Sequence, residues 1–373
     1  MKKIFMILFM LFVVGGCSCS NEQCECPDDI GNSEEVYQDV ISDYSELYEK
    51  TATSVVEVVV TKGTYAVTGS GVVFYKEGDY AYILTNAHVV QDVNSTYQVE
   101  VFFSDSDGFK SGESEIVPSS KIYKNINEDV AVLEIPASNK YTVAPIGDSS
   151  ILKRGEFVYT IGSPVRNFNN TTGGYISSYN VPAKEETKPT VTYFVIVSDA
   201  VTNKGNSGGA LFNKEGKLIG IPTFKPLVIN NTEVEGMYYS LPINHVIKVA
   251  RKIMTGQSYI RPSFGNTIES VNEMGVDRSK YGIAPAVTSG VYIVSGVDSG
   301  SNIPVGSIIT HVNEVEVRSV NDFYVELLKY DVGATIPVTF VTKDGLITRT
   351  VTITLHSWLK LKLFALEKLK ITI

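Results

Sequence analysis

The sequence predicts a mainly β chain: a barrel or sandwich of short strands, followed by a smaller domain mixing strands with one helix. Three observations point there. From about Tyr44 to Arg251, short apolar runs alternate with Gly, Asn, Asp and Pro turns, which is the pattern of many short strands and not of a βαβ fold. Pro242 to Ile253 then places Val246, Val249 and Ile253 on one helical stripe, closing that region. From about Ser258 to Leu355 strands resume, with a capped helix near the end.

The chain starts with an export signature. Lys2 and Lys3 precede an apolar run from Ile4 to Val14, then Gly15-Gly16-Cys17. That run falls short of the roughly 20 apolar residues needed to span a bilayer. Its basic start and small residues fit a cleaved signal over residues 1–16. Val14-Gly15-Gly16-Cys17 resembles a bacterial lipobox, which would make Cys17 the lipidated first residue of the mature protein. An ordinary signal peptide or an uncleaved anchor are the alternatives, and both also export the chain. All 4 cysteines lie between Cys17 and Cys26, so the folded body has no disulfide framework. Without histidines or further cysteines nearby, this cluster does not read as a closed zinc site. Residues 17–41, with Asp28, Asp29, Glu34, Glu35 and Asp39, read as an acidic tether.

Strands are expected at Val55–Val60, Gly71–Tyr75, Tyr80–Thr85, Tyr97–Phe103, Val130–Ile135, Phe157–Ile161, Val191–Val197, Ala210–Phe212 and Leu218–Pro222. Polar stretches separate them at Ser104–Ser120, Asn167–Thr190 and Lys225–Glu235, and Thr255-Gly256-Gln257-Ser258 reads as a linker. Beyond it, Val291–Val294 and Ser307–Val312 read as strands, and Asn313-Glu314 as a hairpin turn into Val315–Val317. Ser319-Val320-Asn321-Asp322 has capping-box spacing and opens a helix carrying Phe323, Leu327 and Leu328. Lys343-Asp344-Gly345 turns into a last strand that puts Ile347, Val351, Ile353 and Leu355 on one side.

With 373 residues, 43% of them hydrophobic, the chain can build two cores. Its 41 acidic and 32 basic side chains leave a net charge of −9, which argues against nucleic acid as a partner. No Gly-x-x-x-x-Gly-Lys-Ser/Thr phosphate loop is present.

Chemistry enters with Gly205-Asn206-Ser207-Gly208-Gly209. Upstream lie His88, in Thr85-Asn86-Ala87-His88, and Asp129, in Asn127-Glu128-Asp129-Val130-Ala131-Val132-Leu133. Nucleophilic acyl transfer needs a hydroxyl, a base and a carboxylate that orients the base, and the three arrive here in the order His, Asp, Ser. Taken singly, each has a plain structural reading: a glycine turn, a core histidine, a turn cap. Their joint order and contexts favour catalysis. Of the 4 histidines, His245, His311 and His356 lack comparable surroundings, and His245 suits a helix start better than a base.

At these residues the chain resembles the HtrA/Deg serine endoproteases, a chymotrypsin-like double β-barrel followed by a PDZ domain. The resemblance covers about Ser42 to Leu355. It rests on Thr68-Gly69-Ser70-Gly71, Leu84 to Val90, Asp129 to Leu133, Ile161-Gly162-Ser163-Pro164, Asp199-Ala200, Gly205 to Gly209 and Tyr239 to Asn244. In the second unit it rests on Pro304 to Ile309 with Val312-Asn313. It implies a protease domain over 42–255 and a PDZ domain over 258–355. It also implies a Ser207–His88–Asp129 triad, an oxyanion hole from the N–H groups of Gly205 and Ser207, and no metal or organic cofactor.

Val201, six positions before Ser207, stands where enzymes that cut after basic residues carry aspartate. An apolar P1 residue is therefore expected, with Val201, Ile221 and Tyr239 as pocket residues and Glu233 or Glu235 as carboxylates able to overturn this. Gly220 to Thr223 is expected to pair with the substrate backbone. Lys204 replaces a proline often found before the turn. In the second unit Phe264, Gly265 and Asn266 form a candidate carboxylate-binding loop for peptide C-termini; the alternative is an ordinary turn into the domain.

The implied function is an exported, membrane-tethered, ATP-independent endoprotease acting on unfolded or misfolded proteins. It would lie outside the bacterial cytoplasmic membrane or in the periplasm. A peptide-binding chaperone with a vestigial protease and a dedicated processing protease are the alternatives. Tyr44, Leu47 and Tyr48, at helical spacing, suggest a homotrimer interface or, alternatively, a staple to their own barrel. Residues 356–373 alternate apolar side chains with lysines and have no assigned role.

Overall fold

The computed structural model describes residues 45–357, apart from 91, 95, 106, 165–166, 186–187, 224–235, 273–277 and 297–302. The signal, Cys17, the acidic tether, Tyr44, Glu233, Glu235 and residues 358–373 lie outside the described residues. No helix among the described residues is long and apolar enough to cross a membrane.

A short helix, α1 (45–51), leads into the first antiparallel sheet. Its strands are β1 (Val55–Lys62), β2 (Tyr65–Glu77), β3 (Tyr80–Thr85), β4 (Gln98–Ser104), β5 (Lys110–Val117), β6 (Ile122–Asn125) and β7 (Val130–Pro136). They pair in the order β5-β4-β1-β2-β3-β7-β6. The valine-rich β1 sits mid-sheet, and Val56, Val58 and Val60 share a core with Ile83, Phe103 and Leu133. β5 arises inside the stretch read as a polar insert. Its side chains are almost all exposed or half-buried because it is an edge strand, so the sequence shows no alternation of buried apolar residues there.

The second sheet closes into a barrel, in the order β10-β13-β12-β11-β8-β9. Its strands are β8 (Phe157–Gly162), β9 (Asn170–Glu185), β10 (Lys188–Ser198), β11 (Ala210–Asn213), β12 (Leu218–Pro222) and β13 (Tyr238–Pro242). The stretch expected as a polar surface loop from Asn167 to Thr190 is instead mostly the long β9–β10 hairpin. Its Thr and Tyr residues favour extended backbone despite their polarity. Helix α2 (Ile243–Met254) buries Ile243, Val246, Val249, Ala250 and Ile253 and packs on both β7 and β12. It thereby clasps the two barrels, each large aliphatic side chain contributing about 1.5–3 kcal/mol.

The remaining strands are β14 (Pro262–Ser263), β15 (Asn266–Ser270), β16 (Val291–Gly296), β17 (Ile308–Val312), β18 (Val315–Glu316), β19 (Thr335–Val341), β20 (Thr348–Thr354) and β21 (His356–Ser357), with short helices α3 (Arg278–Tyr281) and α4 (Val320–Leu327). This is the α+β unit expected after the barrels. Asn313 (φ 46°) and Glu314 (φ 69°) form the β17–β18 turn, the two-positive-φ geometry of a tight hairpin. Ser319 caps α4, its Oγ accepting from Asp322 N at 3.2 Å. His356 and Ser357, the start of the expected tail, instead pair with Pro262–Ser263 as β21.

The α+β unit is docked on the barrels. Lys248 of α2 donates to Leu328 O at 2.8 Å and to Tyr330 O, and Lys252 pairs with Asp331 at 3.0 Å. Tyr324 of α4 meets Phe194 of β10 with ring centroids 6.2 Å apart.

At the other end, α1 is stapled to its own barrels. Tyr48 Oη donates to Asn169 O at 3.1 Å, and Tyr159 Oη donates to Leu47 O at 3.3 Å. Leu47 and Tyr48 thus make contacts within the chain, of the kind the staple reading expects, while Tyr44 lies outside the described residues.

Candidate active site

Strand pairing brings the base and its carboxylate together. Thr85 of β3 lies opposite Ala131 of β7. The turn after β3, carrying His88, and the turn before β7, carrying Asp129, therefore emerge at the same sheet end. Asp129 is fully buried and adopts φ 54°, a left-handed conformation that aspartate tolerates better than most residues. Its carboxylate accepts from His88 N at 2.9 Å, from His88 Nδ1 at 3.0 Å and from Thr223 Oγ1 at 2.7 Å. An ionised carboxylate only accepts, so Nδ1 carries the proton and Nε2 is left as the basic nitrogen. Asn86 Nδ2 also holds Asp129 O, at 3.1 Å.

Ser207 is held through its backbone. Asn206 N donates to Asn203 O at 3.0 Å and Gly209 N to Asn206 O at 2.9 Å, closing the turn. Gly205 has φ 106° and Gly208 φ 85°. A Cβ on Gly208 would fall 2.3 Å from Ser70 O and 2.3 Å from Thr85 Oγ1, so only glycine lets this turn approach the first barrel. Ser70 of β2 spans the gap between barrels. Its N–H donates to Ser207 O at 2.8 Å. Its Oγ donates to Gly205 O at 2.7 Å and accepts from Ser163 N at 2.8 Å. Thr85 Oγ1 in turn donates to Ser70 O at 2.7 Å.

His88 and Asp129 thus come from the first barrel and Ser207 from the second, with Ser70 and Thr223 crossing between them. Backbone–backbone bonds among the described residues leave the N–H groups of Gly205 and Ser207 unused. No hydrogen bond from Ser207 Oγ to His88 is seen among the described residues. Such contacts commonly tighten only when substrate binds.

The other expected site residues fall as follows. Val201 is 41% exposed, Ile221 1% and Tyr239 8%. Ile221 shares the core-facing side of β12 with Ile219, which packs against Val158 and Leu211. Gly220 to Pro222 pair with β13 while β11 covers the other edge from Leu218 to Gly220. Gly208 N takes Pro222 O, and Thr223 N donates to Tyr239 O. The expectation that this segment adds a substrate strand is corrected: its backbone groups are already bonded within the barrel, and Thr223 serves Asp129. In the second unit Phe264 is buried edge-on against Phe323 at 5.4 Å. Gly265 (φ 81°) donates its N–H to Ser263 Oγ at 3.3 Å, and Asn266 opens β15, an edge strand of its sheet.

Sequence reasoning missed the bond from Thr223 to Asp129 and the pinning role of Ser70, although both residues lie inside stretches it singled out. It also missed a buried cluster beside Asp129. The Glu128 carboxylate accepts from His245 Nε2 at 2.8 Å, Arg261 Nε at 2.6 Å and Arg261 Nη2 at 2.8 Å. Burial alone would raise its pKa, but these donors win and hold it at about 2. Among the described residues, no His, Cys, Asp or Glu side chains group as metal ligands would.

A family model described as a trypsin-like peptidase domain matches residues 69–221. Over 289 residues the chain is 33% identical to the serine protease Do-like HtrA of Lactococcus lactis subsp. cremoris (strain MG1363), spanning 74% of this chain and 68% of that protein. The serine protease Do-like HtrB of Bacillus subtilis (strain 168) is 36% identical over 199 residues, covering 52% of this chain and 40% of that protein. Among solved structures, the HtrA-type protease AlgW with tripeptide matches with a TM-score of 0.62 at 22% identity, over 84% of this chain and 96% of that one. That last likeness is one of fold.

Proposed function

Because the chain belongs to the HtrA-type serine proteases, and is a serine endopeptidase, we propose that His88, Asp129 and Ser207 are its catalytic triad. The observation carrying this reading is the buried Asp129 carboxylate, which fixes the His88 ring and main chain together, 3.0 Å from Nδ1 and 2.9 Å from N. Ser207 Oγ attacks the scissile carbonyl while His88 Nε2 takes its proton. The imidazolium formed is stabilised by Asp129, and its proton passes to the leaving amine. Water then repeats the sequence on the acyl-enzyme. The N–H groups of Gly205 and Ser207 stabilise the oxyanion. One such donor contributes roughly 3–4 kcal/mol to the transition state where a donor side chain has been deleted.

The substrates in this reading are unfolded or misfolded proteins, cut without nucleotide hydrolysis. The C-terminal unit binds peptide C-termini through the turn at Phe264 to Asn266, with β15 as the free edge for strand addition. Lipid on Cys17 tethers the exported protein outside the bacterial cytoplasmic membrane or in the periplasm. The homotrimer in this reading would be built around α1, where Tyr48 is only half-buried.

The test is cleavage of an unfolded protein and labelling by a fluorophosphonate. Both are expected for the wild type and lost in Ser207→Ala and His88→Ala, with turnover falling on the order of 10⁶-fold. Ser207→Ala activity within tenfold of wild type would sink the assignment. Intact mass spectrometry of the exported protein tests the anchor: an unmodified N-terminus at a residue other than Cys17 removes it.

A further inference from the structure

The turn that presents Asp129 is fastened from outside the protease barrels. Asn125 and Glu128 belong to that turn, Glu128 N donating to Asn125 Oδ1 at 3.0 Å. Both reach the segment that connects α2 to the C-terminal unit. Asn125 Nδ2 donates to Tyr259 O at 3.4 Å, and Glu128 takes both sides of the Arg261 fork at 2.6 and 2.8 Å. Arg261 also donates through Nη1 to Thr192 O of β10. Its next neighbours are Pro262 and Ser263, the strand β14 that opens the C-terminal unit.

We infer that Arg261 is a positioning residue for catalysis: through Glu128 it holds the turn that sets Asp129 against His88, so that triad geometry depends on the linker being docked. This rests on the triad reading above. Glu128 is 3% exposed, and a buried carboxylate keeps its place only while paired and hydrogen-bonded. Without Arg261 it retains only His245 among its described donors and is driven to turn towards solvent. The next residue is Asp129 at φ 54°, a conformation that a non-glycine residue holds only where its surroundings over-determine it. Arg261 and Leu328 both line each of two cavities of about 580 and 510 Å³ at the junction. The linker therefore has room to shift, which a tightly packed interface would deny.

The experiment measures kcat and KM for an unfolded protein substrate, with fluorophosphonate labelling rates, in Arg261→Gln, Glu128→Gln, the double variant and Arg261→Lys. Each glutamine variant is expected to lower kcat and labelling by about 10- to 100-fold, because small misplacements of a catalytic group cost that much. KM is expected to stay within about threefold, and the double variant to be no slower than the worse single. Arg261→Lys keeps the buried charge but loses the fork; it is expected to fall between and serves as the readout if Arg261→Gln does not fold. Wild-type kcat in Arg261→Lys and Glu128→Gln, or losses that multiply in the double variant, overturn the inference. Ser207→Ala in the same assay separates the two readings: activity there removes the triad itself, whereas an inactive Ser207→Ala beside a fully active Glu128→Gln removes only the coupling.

Discussion

Ser70→Ala removes a hydroxyl that makes no contact with substrate in the proposed mechanism, yet it should damage both stability and rate. Ser70 is fully buried, and its Oγ serves two backbone groups, Gly205 O at 2.7 Å and Ser163 N at 2.8 Å. Alanine leaves a donor and an acceptor without this partner and opens a gap too small for water. A buried polar group left unmatched costs about 1–3 kcal/mol, so the expected loss is roughly 2–4 kcal/mol, read by urea unfolding. Thr53→Ala is the control. Its hydroxyl bonds Thr142 in an exposed pair, so a change within about 0.5 kcal/mol is expected. The rate effect has a separate origin. Gly205 O is one of the anchors holding the turn whose N–H groups bind the oxyanion in the proposed mechanism. Loosening a donor costs less than deleting it, so kcat should fall by at most about 100-fold, with KM little changed. Unfolding and kcat both at wild-type values in Ser70→Ala would refute the idea that this hydroxyl pins the turn.

Glu128 makes acid stability a second readout. Its carboxyl is held at about 2 in the folded protein against an ordinary 4.5. The stability it contributes is therefore complete above about pH 4.5 and drains as the pH falls towards about 2. The difference amounts to roughly 3 kcal/mol, and Glu128→Gln should flatten the acid limb of a stability–pH curve; an unchanged limb counts against the pairing. For specificity, burying a lysine or arginine with no counter-charge costs several kcal/mol. Cleavage sites mapped by mass spectrometry should therefore follow Val, Leu or Ile, and Val201→Asp should recruit basic P1 residues. A majority of wild-type cuts after Lys or Arg would overturn that pocket reading. Tyr48→Phe should cost about 1 kcal/mol by removing the bond to Asn169 O, with no change of mass in light scattering; a lighter particle would place the Tyr48 hydroxyl at a subunit interface.

The sequence by itself determined the strands and the chemistry that have local signatures. Tyr80–Thr85 and Leu218–Pro222 were legible to the residue because central strands must be apolar and turns must break them. The capped helix after Ser319 was legible because its cap lies three residues from its partner. The Gly205–Gly209 turn was legible because its glycines are forced by backbone angle and by the approach of Ser70. Tertiary structure alone decided what depends on partners distant in the chain. β5 is an edge strand, polar from Lys110 to Glu115, and left no hydrophobic period to find. Gly220 to Pro222 looked free for substrate until β11 and β13 took up its backbone. Thr223 showed no sign of serving Asp129, 94 residues away. Glu128 carried no signal of its own in the sequence, because its donors His245 and Arg261 stand 117 and 133 residues further on. Hydrogen bonds are satisfied in space while patterns are written along the chain, so the residues proposed as the triad stood out in the sequence and the groups that hold them did not.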